Sequence, residues 1–528
     1  MANGIKISGL TFTNRVSTNS RFPIVQDSTT FSTDVSSLGI AAQDLTLADV
    51  TSLGNTTEDP IIVDGLSAGK LLWVGEDYGN QIKNRNLNNI ATILGGAGNT
   101  IQSGRGGAVI VSGLNNALSG NFDDNNLTST FIGAGSGNVI NCNGQFSSIV
   151  GGMSNTLSSG YGFLGGGKNN KIYEESASSI VGGNSNSLSS LYGFIGGGSS
   201  NRIKGDESII VGGCSNSLSG DNSMIGGGKL NSLSSNSGFI GSGCNNSINE
   251  SYVGFIGSGR CNRLIGGGGG AVVGGYLNQI HSTGTGTSNS FIGGGRCNTV
   301  SQSAAGINEN VLVGGFGNNL SGVKNFIGGG SFHKIMGVDN FIGGGSSNDI
   351  YLHCANGQSV IVGGRNHCIK NLAQRAFIGG GSNNYICDTA RFTPIIVGGS
   401  DNKITSGDHN NILGGCLNKI LGGNNGNVLG GCCNTIFTGD DSSIVGGCNN
   451  KICHNNSFIL GSGITSTKDN TLFTTNISAA SISATEIIIG DNGNPIGLST
   501  TLTAGNMKLD ICNGLITAAT DITDVLGV

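Results

Sequence analysis

The sequence predicts an all-β fold, a rod of about 22 short coils of the β-solenoid or β-roll type. The first observation is a motif, apolar–small–Gly–x–x–Asn–x–apolar, which recurs from Ile93 to Ile452 with a degenerate last copy at residues 459–465. The second is its period, mostly 15 or 16 residues, which has room for two short strands and two turns but not for two helices. The third is an exchange of large for small side chains beside the central apolar residue, which is typical of packed surfaces.

One copy, residues 179–188, shows how a coil is built. Ile180 lies between two residues that point the opposite way, as alternation in a strand requires. Gly182 and Gly183 supply a tight turn, and Asn186 tolerates a left-handed conformation before the next extended segment. We expect equivalent Asn side chains of successive coils to stack at about 4.8 Å and to support one another's hydrogen bonds as a ladder. The predicted members include Asn155, Asn170, Asn186, Asn201, Asn216, Asn231 and Asn246.

The residues on either side of the central apolar residue share one face of the strand. Where the first is Phe the second is Gly, and where the second is Val the first is never Phe; Phe458/Leu460 in the last copy is the exception. Such volume compensation predicts that this face is covered by identical chains, most simply three around a common axis. The alternative is a monomeric solenoid whose own loops cover the Phe residues. The predicted trimer-interface residues are Phe131, Phe163, Phe194, Phe239, Phe255, Phe291, Phe326, Phe341 and Phe377.

Composition narrows the classes of function. The net charge of −5, with 11% charged residues, indicates no basic surface for nucleic acid. The sequence has no apolar run of about 18 residues, so we expect no membrane insertion. Residues 1–6 lack the apolar segment of a signal peptide, so we expect synthesis and assembly in a cytoplasm.

Three of the 14 Cys residues, Cys416, Cys432 and Cys448, recur at 16-residue steps directly after Gly-Gly. They are predicted to stack as a column. In a cytoplasmic product we expect thiols, as small residues that suit a crowded turn. The alternatives are a metal ladder or disulfides between coils or chains, but metal sites favour spaced pairs with His support. We therefore predict neither a metal nor a cofactor.

The two ends of the chain are not repetitive. Residues 1–90 contain short strand-like runs such as residues 21–31 and are predicted to form a separate β module. Residues 91–465 form the repeat rod. Residues 466–528 are predicted to form a small β cap that closes the rod, with a hairpin around Asn513-Gly514.

Three stretches resemble known families. Residues 22–31, FPIVQDSTTF, resemble segments near the start of many phage tail-fibre and virion proteins, where they belong to an attachment module. The repeats resemble the β-roll heads of trimeric autotransporter adhesins and the Ile-Gly-Gly-Gly-x-x-Asn repeats of phage and large-virus fibres, both homotrimeric. Residues 506–517 resemble terminal strands of phage fibres. The sequence shows neither the secretion signal nor the coiled coil and membrane-anchoring barrel of autotransporters, so the resemblance favours a viral fibre.

The expected function is therefore a structural, homotrimeric tail or head fibre of a virion, assembled in the host cytoplasm. Residues 1–90 would attach it to other virion proteins of the tail, baseplate or capsid, and its tip or loops would contact a host-surface receptor. The alternatives are a spacer or decoration fibre without receptor binding and a cell-surface trimeric adhesin. We predict no enzyme, because the acidic pairs Glu174-Glu175, Asp206-Glu207 and Asp440-Asp441 lie in loops without an aromatic shelf, and His333 and His367 occupy Asn-ladder positions.

Overall fold

The computed structural model describes residues 79–474, leaving out residues 85–90, 104–106, 120–128, 142–144, 174–176, 283–288, 303–308, 353–356 and 390–391. Outside that range it describes strands alone: Lys6–Ile7, Arg21–Gln26, Thr29–Asp34, Ile62–Val63, Leu71–Trp73, Thr500–Ala504, Met507–Cys512 and Leu515–Asp521. Every regular element in these ranges is a strand, which confirms the all-β prediction. No helix with the length and apolar character needed to cross a membrane occurs among them.

The repeats form a parallel β-solenoid of about 22 turns, as the period predicts. The chain divides into two compact units, residues 1–135 and 136–528. Each full turn contributes a strand to a front sheet, a single-residue bridge, and a strand to a back sheet. In the turn at residues 179–188 these are Ser179–Ile180, Asn184 and Ser187–Leu188, each paired in register with its equivalent one turn away.

In the C-terminal unit, the front sheet consists of Ser148–Ile149, Phe163–Leu164, Ser179–Ile180, Phe194–Ile195, Ile209–Ile210, Met224–Ile225, Phe239–Ile240, Gly254–Ile256, Gly270–Val272, Phe291–Ile292, Val311–Leu312, Phe326–Ile327, Phe341–Ile342, Val360–Ile361, Phe377–Ile378, Ile395–Ile396, Asn411–Ile412, Asn427–Val428, Ser443–Ile444, Phe458–Leu460 and Leu472–Thr474. The back sheet consists of Val139–Ile140, Thr156–Leu157, Lys171–Ile172, Ser187–Leu188, Arg202–Ile203, Ser217–Leu218, Ser232–Leu233, Ser247–Asn249, Arg263–Ile265, Gln279–Ser282, Thr299–Gln302, Asn319–Val323, Lys334–Val338, Asp349–Leu352, Cys368–Asn371, Tyr385–Thr389, Lys403–Ser406, Lys419–Ile420, Thr435–Ile436 and Lys451–Ile452.

The N-terminal unit is built in the same way, with a front ladder and a back ladder of its own. Its front strands are Leu71–Trp73, Ala91–Ile93, Ala108–Ile110 and Thr130–Ile132, and its back strands are Gln81–Asn84, Thr100–Ser103 and Ala117–Ser119. Parallel pairing therefore begins ahead of residue 91, where the repeat motif starts. In the same unit, Arg21–Gln26 pairs with Thr29–Asp34 as an antiparallel pair, and Lys6–Ile7 pairs in parallel with Ile62–Val63.

The interior of each turn is filled by one aliphatic side chain from each sheet and by the Asn between them. Ile180, Leu188 and Asn186 have no exposed surface, and the equivalent residues of the other turns are buried in the same way. Burying one such Ile or Leu contributes about 1.5–3 kcal/mol, so the stack of identical layers holds the solenoid together.

The turn between front strand and bridge requires glycine at one position. Gly183 has a φ of 96°, and a Cβ placed on it would lie 2.8 Å from the backbone nitrogen of Gly198 in the next turn. A side chain there is excluded by both the conformation and the close approach of neighbouring turns. The second Gly of the motif therefore sets how closely successive turns stack.

The strands predicted around Asn513-Gly514 are present, since Met507–Cys512 pairs antiparallel with Leu515–Asp521 and with Thr500–Ala504. The rest of the predicted cap, apart from residues 466–474, lies outside the described residues. Leu472–Thr474 still pairs in parallel with Phe458–Leu460, so the front sheet continues past residue 465.

Candidate functional site

The nine predicted interface Phe residues lie on the outer face of the front sheet, on the opposite side of the strand from the buried aliphatic residues. Their exposed fractions reach 36% for Phe131, 37% for Phe194 and 41% for Phe163. Where two consecutive turns carry Phe the rings stack, with centroids 5.4 Å apart for Phe239 and Phe255 and 5.1 Å for Phe326 and Phe341. In the C-terminal unit we call the residues flanking each buried front-sheet aliphatic, from Ser148 to Thr474, the front stripe.

The exchange of Phe/Gly for Ser/Val depends in part on packing inside one chain. A Cβ placed on Gly196 would meet the backbone carbonyl of Val211 in the next turn first, and would lie 3.5 Å from a ring carbon of Phe194. The order is the same for Gly379, where the carbonyl of Val397 is nearest and a ring carbon of Phe377 lies at 3.2 Å. The ring of each Phe thus lies across the Gly two residues later in its own strand. Contact within one coil thus contributes to the exchange, and the coverage of this face by neighbouring chains stays a prediction.

A double-mutant cycle tests this packing. Gly196→Val alone is expected to destabilise the fold by about 1–3 kcal/mol, because its Cβ meets the Val211 carbonyl and its methyl groups meet the Phe194 ring. Adding Phe194→Ser reproduces the Ser179/Val181 pair of the neighbouring turn and is expected to recover the part of that loss that the ring causes. Denaturant unfolding of the two single variants and the double variant gives the coupling. Strictly additive losses would show that the ring and the methyl groups do not meet.

The front stripe is free of charge. No residue in either flanking position carries a charged side chain in any turn from residue 148 to residue 474. The stripe is nevertheless only partly covered, since Val150 and Val181 are each 49% exposed and Val211 is 48% exposed. Within the described ranges, the chain's own loops therefore do not bury this face, which argues against the loop-covered alternative. An apolar face of this extent is typical of interaction surfaces.

The predicted Asn residues form a continuous ladder in the solenoid interior. The backbone N–H of Asn201 donates to Oδ1 of Asn186 at 2.9 Å. Nδ2 of Asn186 donates to the carbonyls of Gly182 at 3.0 Å and of Gly198 at 3.1 Å. The side chains mostly bond to the backbone rather than to one another, although Nδ2 of Asn216 also reaches Oδ1 of Asn201 at 3.1 Å. Each Asn thus joins three successive turns.

Three features of this network were not found from the sequence. In the N-terminal unit a ladder begins at Asn80, with its Oδ1 accepting from the N–H of Asn99 at 2.9 Å. A second ladder runs along the corner before the front strand, where Asn325 donates its N–H to Asn310 Oδ1 and Asn340 donates to Asn325 Oδ1. At the exposed corner before the front strand, Asp side chains also accept backbone N–H groups of the preceding turn, as Oδ1 of Asp206 does from Leu191. The signal for the second ladder was an Asn directly before three front strands at 15-residue steps.

His333 and His367 occupy ladder positions and are completely buried. Nδ1 of His333 accepts the N–H of Asn348 at 3.0 Å, and Nδ1 of His367 accepts the N–H of Asn384 at 3.1 Å. Each ring is therefore neutral with its proton on Nε2, and Nε2 has no well-formed hydrogen bond. Desolvation by burial lowers the pKa of both imidazoles below the ordinary 6.5.

These histidines predict a loss of stability in acid. Because their folded pKa lies below the unfolded value of 6.5, the unfolded chain binds more protons in that window and stability rises with pH. The stability that depends on the two neutral histidines is complete above about pH 6.5 and is lost as pH falls towards the folded pKa. Replacing His333 and His367 by Asn is expected to remove this pH dependence. The free energy of unfolding, measured at pH 7 and pH 5 for the unsubstituted protein and the double variant, checks this expectation. An equal change between the two pH values in both proteins would contradict it.

In two of the acidic pairs considered as catalytic candidates, one carboxylate accepts a backbone hydrogen bond from the preceding turn. Oδ1 of Asp206 accepts the N–H of Leu191 at 2.9 Å, and Oδ1 of Asp440 accepts the N–H of Asn424 at 2.6 Å. Both carboxylates thus tie one turn to the turn before it. Glu174 and Glu175 lie outside the described residues.

The Cys residues stack as predicted, with Cys416, Cys432 and Cys448 paired in successive bridges. All three are free thiols. The sulfur of Cys432 lies 3.3 Å from that of Cys433. Hydrogen bonding with the Cys416 thiol, and then with the Cys433 thiol, raises the pKa of Cys432 to about 12. In the part of the chain that is described, no group of three His, Cys, Asp or Glu side chains is arranged to hold a metal ion.

Comparison with known protein families and with curated proteins gives no match to this chain.

Proposed function

We propose that this chain is the structural subunit of a homotrimeric virion fibre, in which three front stripes meet around a common axis. The observation that carries the proposal is the front stripe itself, apolar and without charge over about twenty turns while partly exposed on a single chain. A solvated sheet face would carry charges, as the back sheet of the same solenoid does at Lys171, Arg202 and Lys419. Burial of the stripe against other copies gives a reason for that difference.

The number of chains and the viral setting rest on resemblance. The repeats are similar to those of homotrimeric fibres and adhesin heads, and residues 22–31 resemble an attachment segment. The fibre would join other virion proteins through residues 1–90 and adsorb to a host surface. A spacer fibre without receptor binding is the second candidate, and the regular hydrogen-bonded interior suits it equally.

Two measurements separate these proposals. Sedimentation equilibrium of the full chain is expected to give three subunits; a monomer would overturn the assembly. Binding of the purified protein to candidate host cells, with loss on deletion of residues 471–528, is expected for an adsorption fibre. Binding that survives the deletion would place recognition elsewhere on the rod, and absence of binding would favour the spacer.

A further inference from the structure

Most charged side chains of the C-terminal unit are sorted by face, although Asp401 directly follows a bridge residue and lies beside the basic positions. The front stripe has none. The outward positions of the back sheet carry nine basic residues and one acidic residue, Asp349, and the bridge column carries five basic residues and no acidic one. These fourteen residues, which we call the basic strip, are Lys168, Lys171, Arg202, Lys204, Lys229, Arg260, Arg263, Arg296, Lys334, Arg365, Lys370, Lys403, Lys419 and Lys451.

Acidic residues gather instead at the corner that leads from back sheet to front sheet. Ten are described there, against three basic residues, Lys324, Arg375 and Lys468. The acidic residues are Asp206, Glu207, Asp221, Glu250, Glu309, Asp339, Asp408, Asp440, Asp441 and Asp469. The net charge of −5 therefore conceals a positive face beside a negative edge. Such separation produces a local potential that the total charge does not reveal.

Within the strip, one pair of like charges faces each other across the ladder. Lys403 is in direct register with Lys419, at the inter-strand spacing of about 4.8 Å, and the next residues in that column are Thr435 and Lys451. Like charges directly opposite each other destabilise a sheet unless something neutralises them. Lys334 differs from this pair, since it lies in direct register with the acidic side chain of Asp349.

We infer that the basic strip binds a linear acidic polysaccharide lying along the solenoid axis. Its cations recur in every second turn from Lys171 to Lys403, which matches a ligand that repeats its sulfate or carboxylate groups along a line. The strip extends from the bridge column to the outward positions of the back strands, and the acidic corner begins directly beyond those positions. A wide polyanion such as a nucleic-acid duplex would meet that corner.

The aromatic rings of the strip argue against a single-stranded nucleic acid. The Tyr276 ring lies between the guanidinium groups of Arg260 and Arg296, at 5.8 Å and 5.5 Å from its centroid. The Tyr385 ring lies near the ammonium groups of Lys370 and Lys403, at 6.0 Å and 5.1 Å. Stacking of bases needs free ring faces, and cations occupy these. The rings instead hold the cations in place for an anionic ligand.

This inference rests on the proposed function only for its biological setting, adsorption to a host surface. The test uses the full chain with dextran sulfate as the probe, and with neutral dextran and an oligothymidylate as comparisons. We expect dextran sulfate to bind with an affinity that falls steeply as salt rises, and neutral dextran not to bind. Equal binding of neutral dextran, or tighter binding of the oligonucleotide, would overturn the inference.

A matched pair of variants locates the site. Lys419→Glu with Lys451→Glu changes two exposed positions of the strip and is expected to weaken dextran sulfate binding at least about tenfold. Lys324→Glu with Lys468→Glu makes the same change of charge at the corner and is expected to alter it less than about twofold. Equal losses would show a response to total charge alone. Sedimentation of the same samples reports assembly separately. A trimer that does not bind dextran sulfate would refute the polysaccharide site, and a monomer that binds it would refute the trimeric assembly.

Discussion

Phe194→Asp is expected to weaken trimer assembly severely. In the proposed trimer this substitution places three carboxylates in a charge-free seam, and burying an ion without a partner costs several kcal/mol each. The fold of the single chain should survive, because Phe194 is 37% exposed and Ser179 occupies the same position one turn earlier. Sedimentation equilibrium over a range of concentrations should show dissociation where the unsubstituted protein remains assembled.

Two controls sharpen this result. Ser217→Asp introduces the same carboxylate at an exposed position of the back sheet and should leave assembly intact. Phe194→Ser removes the ring without adding charge and should weaken assembly less than aspartate does, since Asn411 and Asn427 show that the stripe accepts neutral polar residues. A Phe194→Asp protein as tightly assembled as the control would exclude the front stripe as the interface.

The second large effect is expected from Asn186→Asp. The substitution keeps the acceptor for the N–H of Asn201 but replaces the donor to the carbonyls of Gly182 and Gly198 by a buried negative charge. The carbonyl of Gly198 still accepts the N–H of Asn184 at 2.8 Å, whereas that of Gly182 loses its donor. Such a loss costs about 1–3 kcal/mol, and the buried charge adds to that cost. We expect a loss of about 3–5 kcal/mol, or partial unfolding of the neighbouring turns.

Asn184→Asp is the matched control, since it makes the same chemical change two residues earlier at an exposed bridge position. It is expected to change stability by less than about 0.5 kcal/mol. Because repeat arrays need not unfold in one step, hydrogen exchange of the turns around residue 186 should accompany denaturant unfolding. Equal protection in the two variants would mean that the Asn side chain does not hold successive turns together.

Much of the fold could be predicted because the same motif recurs in every turn. A period of 15 or 16 residues, a Gly pair and an Asn can be satisfied together only by a short coil with two strands. The ladder position of Asn186 followed from the same register. The second ladder through Asn325 and Asn340 was missed because it spans only a few turns, so its period stands out less.

The meaning of the Phe/Gly exchange could not be read from the sequence. Strand alternation places Phe194 and Gly196 on one face, but whether the ring lies across its own strand or against another chain depends on its rotamer. The charge-free stripe and the basic strip were also hidden, because the composition sums over all faces of the coil. To sort those charges by face, one must know which residues of successive turns lie in register.

The sequence by itself determined the solenoid, its period and its buried Ile, Leu and Asn columns, because the same local requirements recur in every turn and reinforce one another. Only the tertiary structure decided how the front rings pack, which backbone groups the Asn amides satisfy, and where the charges collect. Those features depend on the register between turns, which brings together side chains that lie 15 or more residues apart in the sequence.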